Sequence, residues 1–153
     1  MRKTPLTKAL LGGAVACTLL LTMANSMADT AEIMEQRQAG FKTMGKSVKA
    51  IRNALKAGDT TTPAVKDAAA AINQEASQLA QWFPEGSGPE SGLSTDALPY
   101  IWKNTEKFQR ISQDLISASA KLVSALDAGA DIDAPFKAVL KTCKGCHQSY
   151  RAD

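Results

Sequence analysis

The sequence predicts an all-α protein, an antiparallel up-down-up-down four-helix bundle. Apolar residues recur at alternating steps of three and four along four segments, and no segment shows a sustained alternation of apolar and polar residues. Two of the three connections between these segments are short, which makes neighbouring helices antiparallel. With 153 residues, 44% of them hydrophobic and 22% charged, the chain fits one globular domain preceded by a removable leader.

Residues 1–28 have the pattern of a secretory signal peptide. Basic residues near the N-terminus precede an apolar stretch at 9–24, and the small residues Ser26 and Ala28 predict cleavage after Ala28. The apolar stretch is shorter than the ~20 residues that cross a membrane, so a retained anchor is the less favoured alternative. A lipoprotein attachment at Cys17 fits poorly because the apolar stretch continues beyond it. We therefore expect export to the periplasm and no membrane insertion after cleavage.

The excess positive charge of the chain lies in this leader. The whole sequence has 18 Lys and Arg against 15 Asp and Glu, and Arg2, Lys3 and Lys8 account for the difference. Residues 29–153 are therefore neutral overall, which gives no reason to expect nucleic acid or an anionic membrane as a partner.

The first two predicted helices have clear boundary signals. The first is expected to begin at Asp29, with Glu32 as its capping-box partner, and to end at Gly58. The second is expected to begin at Pro63, a residue favoured in the first helical turn, and to stop at Pro84. The residues predicted to face inward are Arg37, Phe41, Met44, Val48, Ile51 and Leu55 in the first helix, and Val65, Ala69, Ile72, Ala76, Leu79 and Phe83 in the second.

The last two predicted helices follow a loop that is rich in glycine and proline. The third is predicted as one helix over 96–127, capped by Thr95 or Asp96. The fourth is expected to start near Asp131 or Asp133 and to run to the C-terminus. Its inward face would carry Phe136, Leu140, Cys143, His147 and Tyr150.

The fourth helix carries Cys143-Lys144-Gly145-Cys146-His147, the C-x-x-C-H pattern of c-type haem attachment. The spacing puts both thiols and the imidazole on one helix face, so the thiols can add to the two vinyl groups of one haem while the imidazole reaches its iron. Zinc would need a fourth ligand, and a redox dithiol usually lies at a helix N-terminus. A structural disulfide would leave the adjacent His unexplained. The motif therefore predicts haem c.

Over essentially all of residues 29–153 the chain resembles the cytochrome c′ family of class II c-type cytochromes. The resemblance rests on ADTAEIMEQRQAGFKTMGKSVKAI, on WFP before the loop, on PYIW in the third helix and on CKGCHQSYR. It implies one covalent haem between the helices, attached through Cys143 and Cys146, with His147 as the proximal iron ligand. It also implies five-coordinate, high-spin iron that binds NO and CO and can exchange electrons with periplasmic redox partners, and a homodimer formed through the first two helices.

The resemblance assigns further residues around the haem. Phe41 matches the position that blocks the iron face opposite the proximal imidazole. Arg37 and Gln38 match positions beside the haem propionates, and Asp96 lies near the haem edge. A guanidinium pairs well with carboxylates, although snorkelling to solvent would also account for an Arg on an inward stripe.

Two functions stay open from the sequence. A Met ligand would make the iron low-spin and favour simple electron carriage, for which Met34 is the first candidate and Met44 a weaker one. Core filling explains both methionines equally simply, and Phe41 on the same stripe favours gas binding. An enzyme is not expected, because no acid–base pair accompanies the only His of the chain.

Overall fold

The computed structural model describes the backbone of residues 15–152 and the side chains of residues 29–152. Its helices are α1 (Val15–Ala57), α2 (Pro63–Gln78), the short α3 (Tyr100–Lys103), α4 (Thr105–Asp127) and α5 (Asp133–Tyr150). Two 3₁₀ turns, Leu79–Trp82 and Pro89–Ser91, lie between α2 and α3. The predicted all-α four-helix bundle is confirmed, with α1, α2, α4 and α5 as its long members.

The bundle is closed on three sides and open on the fourth. Helix α1 packs against α2, α2 against α4, and α4 against α5, whereas α1 and α5 are held apart over most of their described length. The fully buried side chains lie where the three packed pairs meet. They include Ile51, Ile72, Leu79, Leu122 and Val139.

The start of α1 differs from the sequence prediction. The helix begins at Val15, so Asp29 and Glu32 lie inside it and form no capping box there. The residues before Asp29 continue the helical backbone, and their carbonyls accept the N–H bonds that a cap would otherwise satisfy. The predicted leader, residues 1–28, lies outside the described side chains, and its cleavage stays a prediction. Within the described part of the chain, no helix is both long and apolar enough to cross a membrane.

The third helix was predicted as one element over 96–127, and this is wrong. Asn104 has φ −138° and ψ 49°, which is not helical, and it separates α3 from α4. Its side-chain Nδ2 donates to Tyr100 O at 3.4 Å, while its own carbonyl accepts from the N–H groups of Lys107 and Phe108. Asn side chains compete in this way with helical backbone bonds, and here the competition ends one helix and starts the next.

A close approach between α1 and the first 3₁₀ turn depends on Gly40. The ring of Trp82 lies directly on the α1 backbone, and a Cβ atom added at Gly40 would overlap its six-membered ring. A Cβ at Gly45, on the same helix, would meet no protein atom within 4 Å. Trp82 is only 3% exposed, so it has little room to move away.

We expect Gly40→Ala to lower the free energy of unfolding by ~1–3 kcal/mol, because overpacking forces neighbouring side chains to shift. Asn53→Ala, at an exposed position of the same helix, is the control. It should raise the free energy of unfolding by up to ~1 kcal/mol, since Ala is the better helix former. Urea unfolding followed by circular dichroism measures both. Equal stabilisation by the two substitutions would contradict the contact between Trp82 and Gly40.

Candidate functional site

A cavity of about 560 Å³ lies on the open side of the bundle, between α1 and α5. This volume is within the range of ~300–1,000 Å³ that is usual for small-molecule and cofactor sites. Helix α4 and the segment around residues 94–97 complete its walls. The apolar and aromatic lining includes Phe41, Met44, Val48, Leu79, Phe83, Ala97, Ile101, Phe108, Ile111, Leu115, Leu140 and Tyr150.

The C-x-x-C-H residues lie together on one wall of this cavity. Cys143, Cys146 and His147 all line it, at the i, i+3 and i+4 positions of α5. Both cysteines are half-buried free thiols. A Cβ at Gly145 would lie 3.6 Å from Ile111 Cδ1, an ordinary contact distance, so α5 passes close to α4 at this point.

The surroundings of the two thiols disfavour their thiolate forms. Burial raises the pKa of Cys143, and burial together with the neighbouring Cys143 raises the pKa of Cys146 to about 11. Thiol–disulfide chemistry needs a thiolate, and reactive dithiols have a lowered pKa for that reason. The environment therefore disfavours the redox-dithiol interpretation.

The surroundings of the His147 imidazole favour its neutral form. Burial lowers the pKa of His147, and the positive charge of Arg151 lowers it further. Neutral imidazole is the form that binds metals. Among the described residues, no group of three or more His, Cys, Asp or Glu side chains could hold a metal ion by itself, so a zinc site is not supported.

Arg37 is buried among loop carbonyls. Its side chain is 3% exposed, and both Nη atoms donate to Ser87 O at 3.1 Å. Nη2 also donates to Thr95 Oγ1 at 3.0 Å, and Nη1 to Trp82 O at 3.4 Å. The guanidinium carbon lies 4.6 Å above the Phe83 ring, within cation–π range. Snorkelling to solvent is therefore wrong for Arg37, which nevertheless reaches the cavity wall.

Gln38 and Asp96 lie at the rim of the cavity. Gln38 Nε2 donates to Ser94 O at 3.4 Å. Asp96 Oδ2 is 3.7 Å from Arg151 Nε, and the backbone of Asp96 accepts from Ala152 N at 2.7 Å. The segment after α5 is thus tied to the segment before α3. The proposed contacts of Arg37, Gln38 and Asp96 with haem stay predictions.

Phe41 lies on the cavity wall contributed by α1, facing the gap that separates α1 from α5. Its ring packs edge-on against Trp82, with centroids 5.5 Å apart, and against Phe83 at 6.3 Å. Met34 does not reach the cavity lining. It is 3% exposed, and its sulfur accepts a long hydrogen bond of 3.8 Å from Ser91 Oγ. Met44 does line the cavity. By position, Met44 is therefore the better candidate for an iron ligand, whereas the sequence favoured Met34.

Several lining residues were missed in the sequence. Lys42, Ser94 and Ser112 line the cavity, and no motif or spacing singled them out. Ile111 and Leu115 of α4 also line the cavity, and periodicity cannot tell a residue that packs against another helix from one that faces a gap.

Comparisons with known proteins agree with this arrangement. The family model described as cytochrome C′ matches residues 32–151. The chain is 33% identical over 143 residues to a cytochrome c′ of Rhodospirillum rubrum, covering 92% of this chain and 95% of the relative.

Solved structures give the same result. The crystal structure of cytochrome c′ from Thermochromatium tepidum is 30% identical and matches with a TM-score of 0.75, covering 81% of this chain and 97% of that one. A cytochrome c′ with ligand-controlled dimer dissociation is 26% identical, with a TM-score of 0.73 and coverages of 81% and 97%. A ferrous variant of cytochrome c′ from Alcaligenes xylosoxidans with bound NO is 23% identical, with a TM-score of 0.71 and coverages of 81% and 96%, and shows the likeness of fold alone.

We expect Arg37→Met to lower the free energy of unfolding by at least ~2 kcal/mol, because hydrogen bonds from a charged donor contribute ~1.5–3 kcal/mol and the carbonyls left behind stay buried. Residues 84–93 should also become sensitive to proteases. Arg52→Met, an exposed position on the same helix, is the control and should change neither property. Urea unfolding and limited proteolysis measure the two effects, and equal behaviour of the two variants would contradict an anchoring role for Arg37.

Proposed function

Because this chain belongs to the cytochrome c′ family, we propose that it is an exported protein with one covalent haem c in the cavity between α1 and α5, and that it binds small gases there, chiefly NO and CO. One observation carries the proposal. The attachment residues lie on one cavity wall, and the wall contributed by α1 presents the phenyl ring of Phe41.

The residues on α5 suit a covalent haem. Cys143 and Cys146 would hold it through thioether bonds, and His147 would bind its iron in the neutral form that the surroundings favour. When bound, a haem iron held by one imidazole would supply reversible binding of a diatomic ligand. The largely apolar lining suits the macrocycle, while Gln38 offers an amide donor at the rim and Arg37 a positive charge in the wall, both favourable for carboxylates.

The α1 wall determines what can enter. Phe41 has no lone pair, so its ring can only occupy space, and a ligand must displace it against a packed interior. Small neutral molecules need the least displacement, which favours diatomic gases over larger or charged ligands. The NO-bound cytochrome c′ with the same fold supports this part of the proposal.

Electron exchange is the second function that we propose. One observation favours the alternative in which a methionine binds the iron and makes it low-spin. Met44 lines the cavity, and a thioether there could reach an iron where Met34 could not. We do not propose an enzyme. Among the described lining residues, the only carboxylate is Asp96, which is paired with Arg151.

Membership of the family also suggests an oligomeric state and a cellular location for this protein. We propose a periplasmic location after removal of residues 1–28, and a homodimer, for which the relative with ligand-controlled dimer dissociation is the support. The outer faces of α1 and α2 carry no exposed large hydrophobic side chain among the described residues, so contact through these helices would be mainly polar.

The covalent attachment has a direct test. We expect the intact mass of the protein secreted by a host with haem-attachment machinery to exceed that of residues 29–153 by one haem, because two thioethers hold it. The Cys143→Ser/Cys146→Ser variant should release all pigment into acidified organic solvent. Intact mass spectrometry and haem staining after denaturing electrophoresis measure this, and extractable pigment from the unchanged protein would refute the attachment.

Removal of the Phe41 ring tests the gas site. We expect Phe41→Ala to bind CO faster and more tightly, because a ligand then displaces no ring, and to lose ~3–5 kcal/mol of stability from the cavity left behind. Stopped-flow mixing and equilibrium titration with CO measure both kinetic and binding effects.

The methionine variants distinguish the alternative. Met34→Leu and Met44→Leu should leave a high-spin visible spectrum unchanged if neither sulfur binds iron. A low-spin spectrum that becomes high-spin in Met44→Leu, with an unchanged CO rate in Phe41→Ala, would replace gas binding by the electron-carrier function.

A further inference from the structure

The Phe41 ring on the α1 wall of the cavity packs against a second aromatic side chain, Trp82. Phe41 lines the cavity, whereas Trp82 contacts Phe41 edge-on at 5.5 Å and does not line the cavity. Trp82 therefore packs on a side of the Phe41 ring that faces away from the cavity, where it limits the space into which the ring can move.

Trp82 is fixed by two contacts with α1. Its ring lies against the α1 backbone at Gly40, where any Cβ would overlap it. Its carbonyl accepts a hydrogen bond from Arg37 Nη1 at 3.4 Å. One face of α1 carries Arg37, Gly40 and Phe41, at the i, i+3 and i+4 positions. This short stretch of α1 therefore carries the Phe41 ring and also holds the Trp82 side chain that packs against it.

We propose that Trp82 is a positioning residue for gas binding: held against Gly40, it fixes the Phe41 ring and thereby determines how readily a diatomic ligand enters the cavity. This inference rests on the proposed function, because it takes Phe41 as the ring that a ligand displaces. Trp82 itself touches neither ligand nor haem, and acts through Phe41. Packed interiors resist displacement, so a ring with a rigid neighbour yields less readily than one with free space behind it.

The chain offers a matched control in Trp102. It is also a tryptophan beside this aromatic cluster, packing on Phe83 at 6.1 Å, with Nε1 donating to Pro84 O at 2.9 Å. It does not line the cavity, and no ring contact joins it to Phe41 in the described structure. The substitutions Trp82→Phe and Trp102→Phe remove the same atoms at the two positions.

The experiment measures CO association and dissociation in haem-loaded Trp82→Phe, Trp102→Phe and Phe41→Ala proteins and in the Phe41→Ala/Trp82→Phe double variant. We expect Trp82→Phe to speed CO association about threefold to tenfold, in line with the usual strength of an aromatic pair, and Trp102→Phe to change it less than about twofold. In the Phe41→Ala background, Trp82→Phe should have no further effect, because the ring through which it acts is gone.

Urea unfolding gives a readout that does not depend on gas binding. The effects of Phe41→Ala and Trp82→Phe on stability should be clearly non-additive, because the two rings are in contact. Those of Phe41→Ala and Trp102→Phe should deviate less from additivity, because these two rings meet only through Phe83. If Trp82→Phe does not yield folded protein, Trp82→Leu takes its place in both measurements, with the same expectations.

The outcomes separate this inference from the proposed function. An unchanged CO rate in Trp82→Phe beside a faster rate in Phe41→Ala would overturn the role of Trp82 and leave the gas site intact. Equal acceleration by Trp82→Phe with and without Phe41 would also overturn it, since Trp82 would then act by another route. An unchanged rate in Phe41→Ala would instead remove the gas site on which the inference rests.

Discussion

The buried guanidinium of Arg37 is the interaction on which the geometry of the site depends. A charge at 3% exposure is costly unless its donors are satisfied, and here Ser87, Thr95 and Trp82 supply the acceptors. These partners lie on the long connection between α2 and α3, which has little regular structure of its own. The connection therefore folds around a charge presented by α1, and the same bonds place Phe83 and Thr95 on the cavity wall.

The open side of the bundle explains why helices with good apolar stripes leave several of their residues half-exposed. Phe41 and Val48 on α1, and Cys143 and Cys146 on α5, face one another across a gap rather than packing together. A flat apolar group in that gap would complete the core, and anything that binds only the folded state adds to its stability. The cofactor that we propose would fill this gap, attached to α5 and covered by α1.

The sequence predicted the long helices and their apolar faces well because both follow from a repeat of 3.6 residues. It predicts Cys143, Cys146 and His147 as haem residues because their spacing is a chemical requirement, and the structure places these three side chains on one cavity wall. The sequence did not predict contacts in which a side chain bonds to residues far along the chain. The acceptors of Arg37 lie 45–58 residues away in a segment without periodicity, so nothing in the sequence paired them with it. The break at Asn104 depends on a side chain that bonds to nearby backbone, a choice that helical propensity alone does not reveal. Met34 and Met44 lie on almost the same stripe, and only the position of the loop decided that Met34 is covered by Ser91 while Met44 faces the cavity.

The charged side chains that line the cavity favour a cofactor with carboxylates along one edge. Four charged side chains other than the thiols and the imidazole line the cavity: Arg37, Lys42, Asp96 and Arg151. Asp96 and Arg151 form an ion pair with each other, both partly exposed, so their charges largely offset. Arg37 and Lys42 remain, and the neutral acceptors around Arg37 satisfy its donors without cancelling its charge. A cavity wall with two cations that no carboxylate in the described structure neutralises, beside an apolar interior, favours a ligand that is apolar in its body and carries carboxylates at one edge. Haem has this distribution of charge.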